Sequence, residues 1–242
     1  MAEPLLSRRL EAIISMVTKD MILADIGTDH AFVPICLILR GITPFAYAMD
    51  INEGPLKRAE ENIALYGLSD RIRTILSDGL AALKPKMAGS ILIAGMGGDL
   101  ISSILAAAPD VIRDAAELIL SPHTEAYKVR IFLRTNGFMI DREDMVEEEG
   151  KYYPVIHAVY TGHNKGSEEV KSVCPDPADV YGPFLLKTKH PVLAAYLRKE
   201  EEVKTRILKQ IEENSPGQHP ERIRQLKDDL RLNRCAGNMM EG

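Results

Sequence analysis

The stretch from residue 21 to residue 30, Met-Ile-Leu-Ala-Asp-Ile-Gly-Thr-Asp-His, decides the fold. Its first six residues are almost all apolar, which predicts a buried strand that ends at Gly27. Helical patterns such as Pro55–Tyr66 alternate with four more short apolar runs, which predict strands at Phe45–Met49, Ile72–Leu76, Ser90–Ala94 and Glu117–Leu120. Apolar strands that alternate with helices indicate an α/β fold with a parallel sheet covered on both faces.

The pattern changes after a further predicted helix at Glu125–Thr135. Two strands, Phe138–Val146 and Tyr152–Tyr160, are predicted to form an antiparallel hairpin around the acidic turn Glu147–Gly150. Residues 163–182 are polar and carry Pro175 and Pro177, which is typical of a linker. Two apolar stripes, at Pro191–Glu212 and Glu221–Arg234, then predict an αα-hairpin, with fraying after residue 235. The expected domains are therefore residues 1–162, a linker at 163–182, and a helical domain at 183–242.

Composition limits the classes of protein that this chain can represent. Its 242 residues carry a formal net charge of −5, which lowers the expectation of nucleic-acid binding without removing it. The longest apolar run, Ala31–Leu39, is far shorter than the ~20 residues of a membrane span, and the chain opens without a basic and apolar leader. Three widely spaced cysteines, Cys36, Cys174 and Cys235, suit neither a disulfide framework nor a zinc pair. We expect a cytoplasmic protein with no metal and no membrane partner.

The loop after the first strand indicates the kind of ligand. Only Gly27 matches the glycine fingerprint of dinucleotide-binding proteins, and Asp29 stands where the second glycine should be. A carboxylate there would repel a pyrophosphate, so NAD and FAD are disfavoured. S-adenosylmethionine (SAM), which has a cationic sulfonium and a ribose but no phosphate, suits the loop better. The alternative is that Asp25 and Asp29 merely form a turn and a helix cap.

Acidic residues also end the second and third predicted strands. Asp50 follows Asp25 by 25 residues, where a carboxylate can bind both ribose hydroxyls, although a strand-end aspartate can also be a cap. Asp78 could accept a hydrogen bond from an adenine amino group, with Gly79 giving flat access beside the ring; the alternative is an ordinary Asp-Gly turn. Three acidic strand ends in register favour a cofactor that contains adenosine and no phosphate.

A glycine-rich loop, Gly95-Met-Gly-Gly98, follows the fourth predicted strand. Three glycines in four residues indicate that something large approaches the backbone closely. Met96 is either a floor under an aromatic ring or part of the core.

With these motifs the sequence resembles the bacterial TrmK family. The matching segments are Asp25-Ile-Gly-Thr-Asp-His30, Asp50-Ile-Asn52, Ser77-Asp-Gly-Leu80, Ile93-Ala-Gly-Met-Gly-Gly98, Asn136-Gly-Phe138, Gly150-Lys-Tyr152 and Tyr181-Gly-Pro183. The resemblance covers nearly the whole chain, and the Ile93–Gly98 loop is its most specific part. One segment differs, because the family often has Gln-Pro-Asn after the fifth strand, where this chain has Ser121-Pro122-His123.

The resemblance implies a seven-stranded, Rossmann-like class I methyltransferase domain with a helical C-terminal domain, and SAM-dependent methylation of N1 of adenine 22 in tRNA. Asp29 is the expected catalytic base, since the N6 amino group of the product has to lose a proton. The expected SAM-binding residues are Asp25, Gly27, Thr28, His30, Asp50, Ile51, Asn52, Ser77, Asp78, Gly79, Ala94, Gly95, Met96 and Gly97. The candidate tRNA contacts are Arg8, Arg9, Lys187, Lys189, Arg198, Lys199 and Lys204.

Two other functions remain open from the sequence. The acidic net charge would suit a methyltransferase that acts on a small molecule or a protein. A non-catalytic RNA- or protein-binding module could also use this fold, although the intact acidic strand ends argue against the loss of cofactor binding.

Overall fold

The structure is a computed structural model that describes residues 3–162, 176–214 and 218–241. Seven strands and ten helices are assigned within these residues. The strands are β1 Leu23–Ile26, β2 Ala46–Asp50, β3 Ile72–Leu76, β4 Ser90–Ala94, β5 Glu117–Ser121, β6 Phe138–Glu148 and β7 Lys151–Tyr160. The helices are α1 Arg8–Met16, α2 Phe32–Leu39, α3 Glu53–Leu65, α4 Gly98–Ala107, α5 Pro109–Asp114, α6 Ala126–Thr135, α7 Pro177–Tyr181, α8 Pro183–Lys187, α9 Pro191–Asn214 and α10 Pro220–Glu241.

The strands form one sheet in the order β3-β2-β1-β4-β5-β7-β6. β1 to β5 are parallel, and β7 runs antiparallel to both β5 and β6. The strand order reverses between β1 and β4, so the sheet has a topological switch point there, where α/β proteins bind their ligands at the carboxyl ends. The predicted seven-stranded α/β fold is confirmed.

Helices cover both faces of this sheet. On one face Ile13 of α1, Ile35 of α2 and Ile63 of α3 pack in one apolar cluster, and on the other Ile101 of α4 and Val129 of α6 pack in a second. The central strands contribute alternate side chains to the two clusters because successive residues of a strand point to opposite faces. Because helices pack on both faces, β1, β2 and β4 are buried between two apolar clusters, and this packing fixes the positions of their carboxyl ends.

The β6–β7 hairpin is present, but its predicted turn was too long. Glu147 and Glu148 belong to β6 and pair with Tyr152 and Lys151, so that only two residues make the turn. Both turn residues have left-handed backbones, with φ of 51° at Glu149 and 75° at Gly150. A two-residue turn of this kind matches the right-handed twist of the strands it joins.

The chain divides into two compact units, residues 1–171 and residues 172–242. Residues 163–175 of the predicted linker, with Cys174, lie outside the described residues. At the other end of that range the linker prediction was wrong, because Pro177–Tyr181 is a helix that Asp176 caps by accepting from Ala178 N at 3.0 Å. The predicted fraying after residue 235 was also wrong, since α10 continues to Glu241.

The second unit contains the predicted antiparallel helical hairpin. Buried Asn233 of α10 donates to Leu197 O at 3.0 Å and to Glu200 Oε2 at 2.8 Å, both on α9. Tyr181 of α7 also donates to Glu200, at 2.7 Å.

Among the described residues no helix combines the length and the apolar character that crossing a membrane requires. Cys36 is buried and Cys235 exposed, and neither of the two is in a disulfide.

Candidate active site

Four loops meet at the carboxyl ends of β1 to β4, and backbone hydrogen bonds join them. Gly27 N donates to Met49 O at 2.8 Å, and Ser77 N donates to Asp50 O at 2.9 Å. Gly95 N donates to Ser121 O at 3.1 Å. Because each loop is bonded to the neighbouring strand end, the predicted SAM-binding segments lie side by side along one edge of the sheet.

Asp25 is the buried acid of this edge, with 8% of its surface exposed. Burial, partly opposed by Thr28 and reinforced by the nearby charge of Asp50, raises the pKa of its carboxyl to about 6. The Thr28 hydroxyl itself is buried and makes no hydrogen bond of regular geometry. A buried carboxyl and an unsatisfied hydroxyl are polar groups that a ligand with hydrogen-bonding atoms would satisfy.

Asp50 is the last residue of β2, and one of its carboxylate oxygens accepts a hydrogen bond from the backbone. Its Oδ1 accepts from Asn52 N at 2.7 Å, and no other hydrogen bond to this carboxylate is found among the described residues. The next side chain, Ile51, is 59% exposed although it is large and apolar. A carboxylate with spare acceptor capacity beside an exposed apolar side chain fits a ribose diol next to a ring face, so the residues present suit the adenosine part of SAM.

Hydrogen bonds and helix packing within the protein explain the sequence of the turn after β3. Ser77 Oγ donates to Gly79 O at 2.9 Å, and Ala82 N donates to Ser77 Oγ at 3.1 Å. Gly79 has φ of 53°, and a Cβ there would lie 2.9 Å from Ile104 of α4. Helix packing therefore explains this glycine, and its role beside an adenine ring remains a prediction. Asp78 is exposed.

The glycines around Met96 are required by close contacts. A Cβ on Gly27, which has φ of 74°, would collide with the methyl of Met96, and a Cβ on Gly98 would collide with the carbonyl oxygen of Glu125. Met96 is half-buried and packs against the apolar cluster of α4 and α6. Met96 therefore packs at the margin of the core, and its role as a floor under an aromatic ring remains a prediction.

Asp29 lies at the surface of the loop after β1. Its side chain is 61% exposed and forms an ion pair with Arg58 of α3 at 3.0 Å. The N-cap of α2 is Ala31, which has no side-chain cap, so the helix-cap alternative for Asp29 was wrong. His30 stacks on Phe32 with ring centroids 5.3 Å apart.

Arg9 and His123 lie over Gly95, and the Tyr153 ring packs against both of them; the sequence did not predict that these three residues meet. Arg9 Nη1 is 2.7 Å from His123 Nε2, and the Arg9 guanidinium lies 5.3 Å from the centroid of the Tyr153 ring. The only signal in the sequence was indirect, since the segment ending at His123 differs from the pattern of the TrmK family. We call these three residues the Gly95 cluster.

The remaining candidate tRNA contacts differ in their surroundings. Lys187, Lys189, Arg198 and Lys199 are exposed in the second unit. Lys204 forms ion pairs with Glu200 and Asp229, both at 3.0 Å, and so is engaged within the hairpin. Within the described residues no group of three or more His, Cys, Asp or Glu side chains could hold a metal ion.

This fold and this edge of polar strand ends define a class I, SAM-dependent methyltransferase. A family model described as a methyltransferase domain matches residues 6–156. The tRNA (adenine(22)-N(1))-methyltransferase of Bacillus subtilis strain 168 is 31% identical over 233 residues, which cover 96% of this chain and 97% of that protein.

Solved structures agree with these matches. The crystal structure of the B. subtilis m1A22 tRNA methyltransferase TrmK has a TM-score of 0.83 at 30% identity and covers 97% of this chain and 99% of that one. A Streptococcus pneumoniae protein in complex with S-adenosyl-L-methionine has a TM-score of 0.82 at 32% identity, with coverage of 96% and 99%. The chain belongs to the TrmK family, and SAM is its methyl donor.

Proposed function

We propose that the protein transfers a methyl group from SAM to N1 of adenine 22 in tRNA. The observation that carries the proposal is the match to the B. subtilis enzyme across 96% of the chain, which includes the helical unit as well as the methyltransferase unit. A tRNA substrate also implies that the protein works in the cytoplasm.

The chemistry requires alignment more than activation. When bound, SAM supplies a methyl carbon on a sulfonium: the N1 lone pair forms the new N–C bond while the S–C bond breaks and its electrons stay on sulfur. Adenine N1 is unprotonated at neutral pH, so the protein has to orient the base and exclude water. The methylated base is cationic until its N6 amino group loses a proton, which a carboxylate can accept.

The residues of the sheet edge divide these tasks. Asp50 holds the ribose hydroxyls of the cofactor and Asp78 its adenine amino group. Asp29 accepts the N6 proton of the target base. Exposed basic residues of both units bind the tRNA backbone; these are Arg8, Lys187, Lys189, Arg198 and Lys199. The target base has to leave its stack to reach the site, at a cost of about a few kcal/mol.

Incubating the protein with methyl-labelled SAM and bulk tRNA tests the proposal. We expect label in the tRNA. SAM binding without transfer to tRNA would indicate a methyltransferase with a different substrate, and the absence of SAM binding would indicate a non-catalytic module. Either of these two results would overturn the proposal.

A further inference from the structure

The Gly95 cluster joins three separate elements beside the glycine-rich loop. Ser7 caps α1 and so sets Arg9 near the start of that helix; His123 follows β5, and Tyr153 lies on β7. The rings of His123 and Tyr153 meet edge to face, with centroids 5.3 Å apart. A Cβ on Gly95 would lie 3.9 Å from both Arg9 Nη1 and His123 Cε1, so the guanidinium and the imidazole lie directly over the backbone of this residue.

Backbone hydrogen bonds fix His123 relative to the loop after β4. Gly95 N donates to Ser121 O, and His123 N donates to Met96 O at 2.8 Å. Beyond His123 the segment after β5 continues parallel to the segment after β4. Gly97 and Thr124 form a β-bridge, and Gly98 N donates to Thr124 O at 2.9 Å. The partly exposed imidazole is therefore held by backbone hydrogen bonds beside the glycine-rich loop after β4.

The contact with Arg9 determines which nitrogen of His123 carries the proton. A guanidinium has only donors, so His123 Nε2, 2.7 Å from Arg9 Nη1, has to be the acceptor. The proton of the neutral ring is then on Nδ1. Partial burial, followed by the charges of Arg9 and Lys151, lowers the pKa of His123, so the neutral ring is the form present at physiological pH. No carboxylate forms an ion pair with Arg9 among the described residues, which leaves its contacts to the two rings.

We propose that His123 binds the target nucleotide by donating a hydrogen bond from Nδ1–H to N7 of the adenine, and that Arg9 is its positioning residue. The inference rests on the proposed function. Of the acceptors of adenine, N1 has to stay free for the methyl group and N3 lies on the side of its own ribose. N7 remains, and it is the acceptor next to the N6 amino group that distinguishes adenine on this edge of the base.

The first experiment changes the substrate rather than the protein. A tRNA with 7-deazaadenosine at position 22 lacks the N7 acceptor but keeps N1 and N6. In single-turnover reactions at saturating SAM, we expect the parent enzyme to methylate it roughly tenfold more slowly than natural tRNA, the effect of one lost hydrogen bond. Equal rates on the two tRNAs would overturn the inference. No transfer to natural tRNA by the parent would overturn the proposed function itself, and the inference with it.

Variants of His123 complete a double-mutant cycle. His123→Ala should slow the reaction on natural tRNA by a similar factor, bind SAM like the parent, and react equally with both tRNAs. His123→Asn has an amide donor near the position of Nδ1 and should recover part of the rate and part of the discrimination. A His123→Ala variant that still distinguishes the two tRNAs would show that another group contacts N7.

Nitrogen-15 NMR of histidine-labelled protein tests the part played by Arg9. In the parent, Nδ1 of His123 should carry the proton and Nε2 should not. Arg9→Met should give mixed tautomers and raise the pKa of His123, because it removes the acceptor role of Nε2 and a nearby positive charge; Lys151 and Tyr153 are the other groups that face the ring. Arg9→Lys should retain the Nδ1–H form. Arg8→Met, which removes an equal charge one residue away, should leave the ring signals unchanged. Parent-like ring signals in Arg9→Met would contradict the positioning role.

Discussion

At the scale of single residues, Asp50 is the residue that we propose binds the ribose of the cofactor. Replacing it with Ala removes charge-assisted hydrogen bonds to the ribose, so SAM affinity should fall by about 30-fold to 1,000-fold, equivalent to about 2–4 kcal/mol. Asp78→Ala should cost less, because it loses only the amino contact. Asp70→Ala is the matched control, since Asp70 precedes β3 and so lies at the amino ends of the parallel strands, away from the predicted SAM site. Isothermal titration calorimetry measures all three, and parent-like SAM affinity in Asp50→Ala would exclude the ribose contact.

Asp29 provides a second test at this scale. If Asp29 accepts the N6 proton, Asp29→Asn should bind SAM and tRNA normally, melt like the parent, and methylate about a hundredfold more slowly. Arg58→Met breaks the exposed ion pair but keeps the carboxylate, and it should change the unfolding free energy by no more than about 1 kcal/mol. A single-turnover rate for Asp29→Asn within about threefold of the parent would exclude the catalytic role and leave Asp29 with its contacts to Arg58 and His30.

The sequence predicted those residues whose positions follow from the chain alone. Asp25, Asp50 and Asp78 each occur at or just after the end of a predicted strand, and the ends of parallel strands meet at one edge, so their proximity could be inferred. The Gly95 cluster could not, because Arg9 and His123 are 114 positions apart and meet only through tertiary packing. The ion pair between Asp29 and Arg58 of α3 could not be predicted for the same reason.

At the scale of elements, a buried polar network joins the last three strands of the sheet. His157 of β7 bonds through Nε2 to Glu117 of β5 at 2.9 Å and through Nδ1 to Asp141 of β6. Glu117 also accepts from Ser90 at 2.6 Å and from Thr18 N at 2.9 Å. The β6 register shifts between Ile140 and Arg142, so Asp141 occupies an irregularity in the ladder. Two predicted strands around an acidic turn predicted the hairpin, but no local pattern predicted this bulge or the network.

The network predicts how stability depends on pH. The hydrogen bonds from His157, Ser90 and Thr18 outweigh the opposing effect of burial and lower the pKa of Glu117 to about 2 from its ordinary 4.5. Its contribution is therefore complete above pH 4.5 and is lost as the pH falls towards 2. The carboxylates of Glu117 and Asp141 outweigh burial and raise the pKa of His157, so its contribution is complete below pH 6.5 and is lost as the pH rises through the folded value.

Glu117→Gln tests this network. Denaturant unfolding at pH 6 should show a loss of about 2–4 kcal/mol, and the difference from the parent should shrink as the pH falls from 4.5 to 2. Glu61→Gln, at an exposed position of α3, should unfold like the parent at every pH. A loss in Glu117→Gln that does not depend on pH between 4.5 and 2 would show that the carboxylate charge is not what stabilises the network.

At the scale of the whole molecule, the two compact units should have separate tasks. The strand ends predicted to bind SAM all lie in residues 1–171, and four of the candidate tRNA contacts, Lys187, Lys189, Arg198 and Lys199, lie in residues 172–242. A chain that ends at Lys171 should keep its SAM affinity and lose methylation of tRNA. The cut is placed at residue 171 because α7 belongs to the second unit. Full transfer to tRNA by the shortened chain would mean that the helical unit has another purpose.

The central claim is that the target atom is N1 of adenine 22, and mapping the methyl group tests it most directly. An unmodified tRNA transcript is incubated with the protein and SAM, digested, and analysed by mass spectrometry of its nucleosides and by primer extension. We expect 1-methyladenosine, a reverse-transcription stop at position 22, and no methylation of a transcript with guanosine at that position. A methyl group on another atom or at another position, or equal transfer to the guanosine transcript, would contradict it.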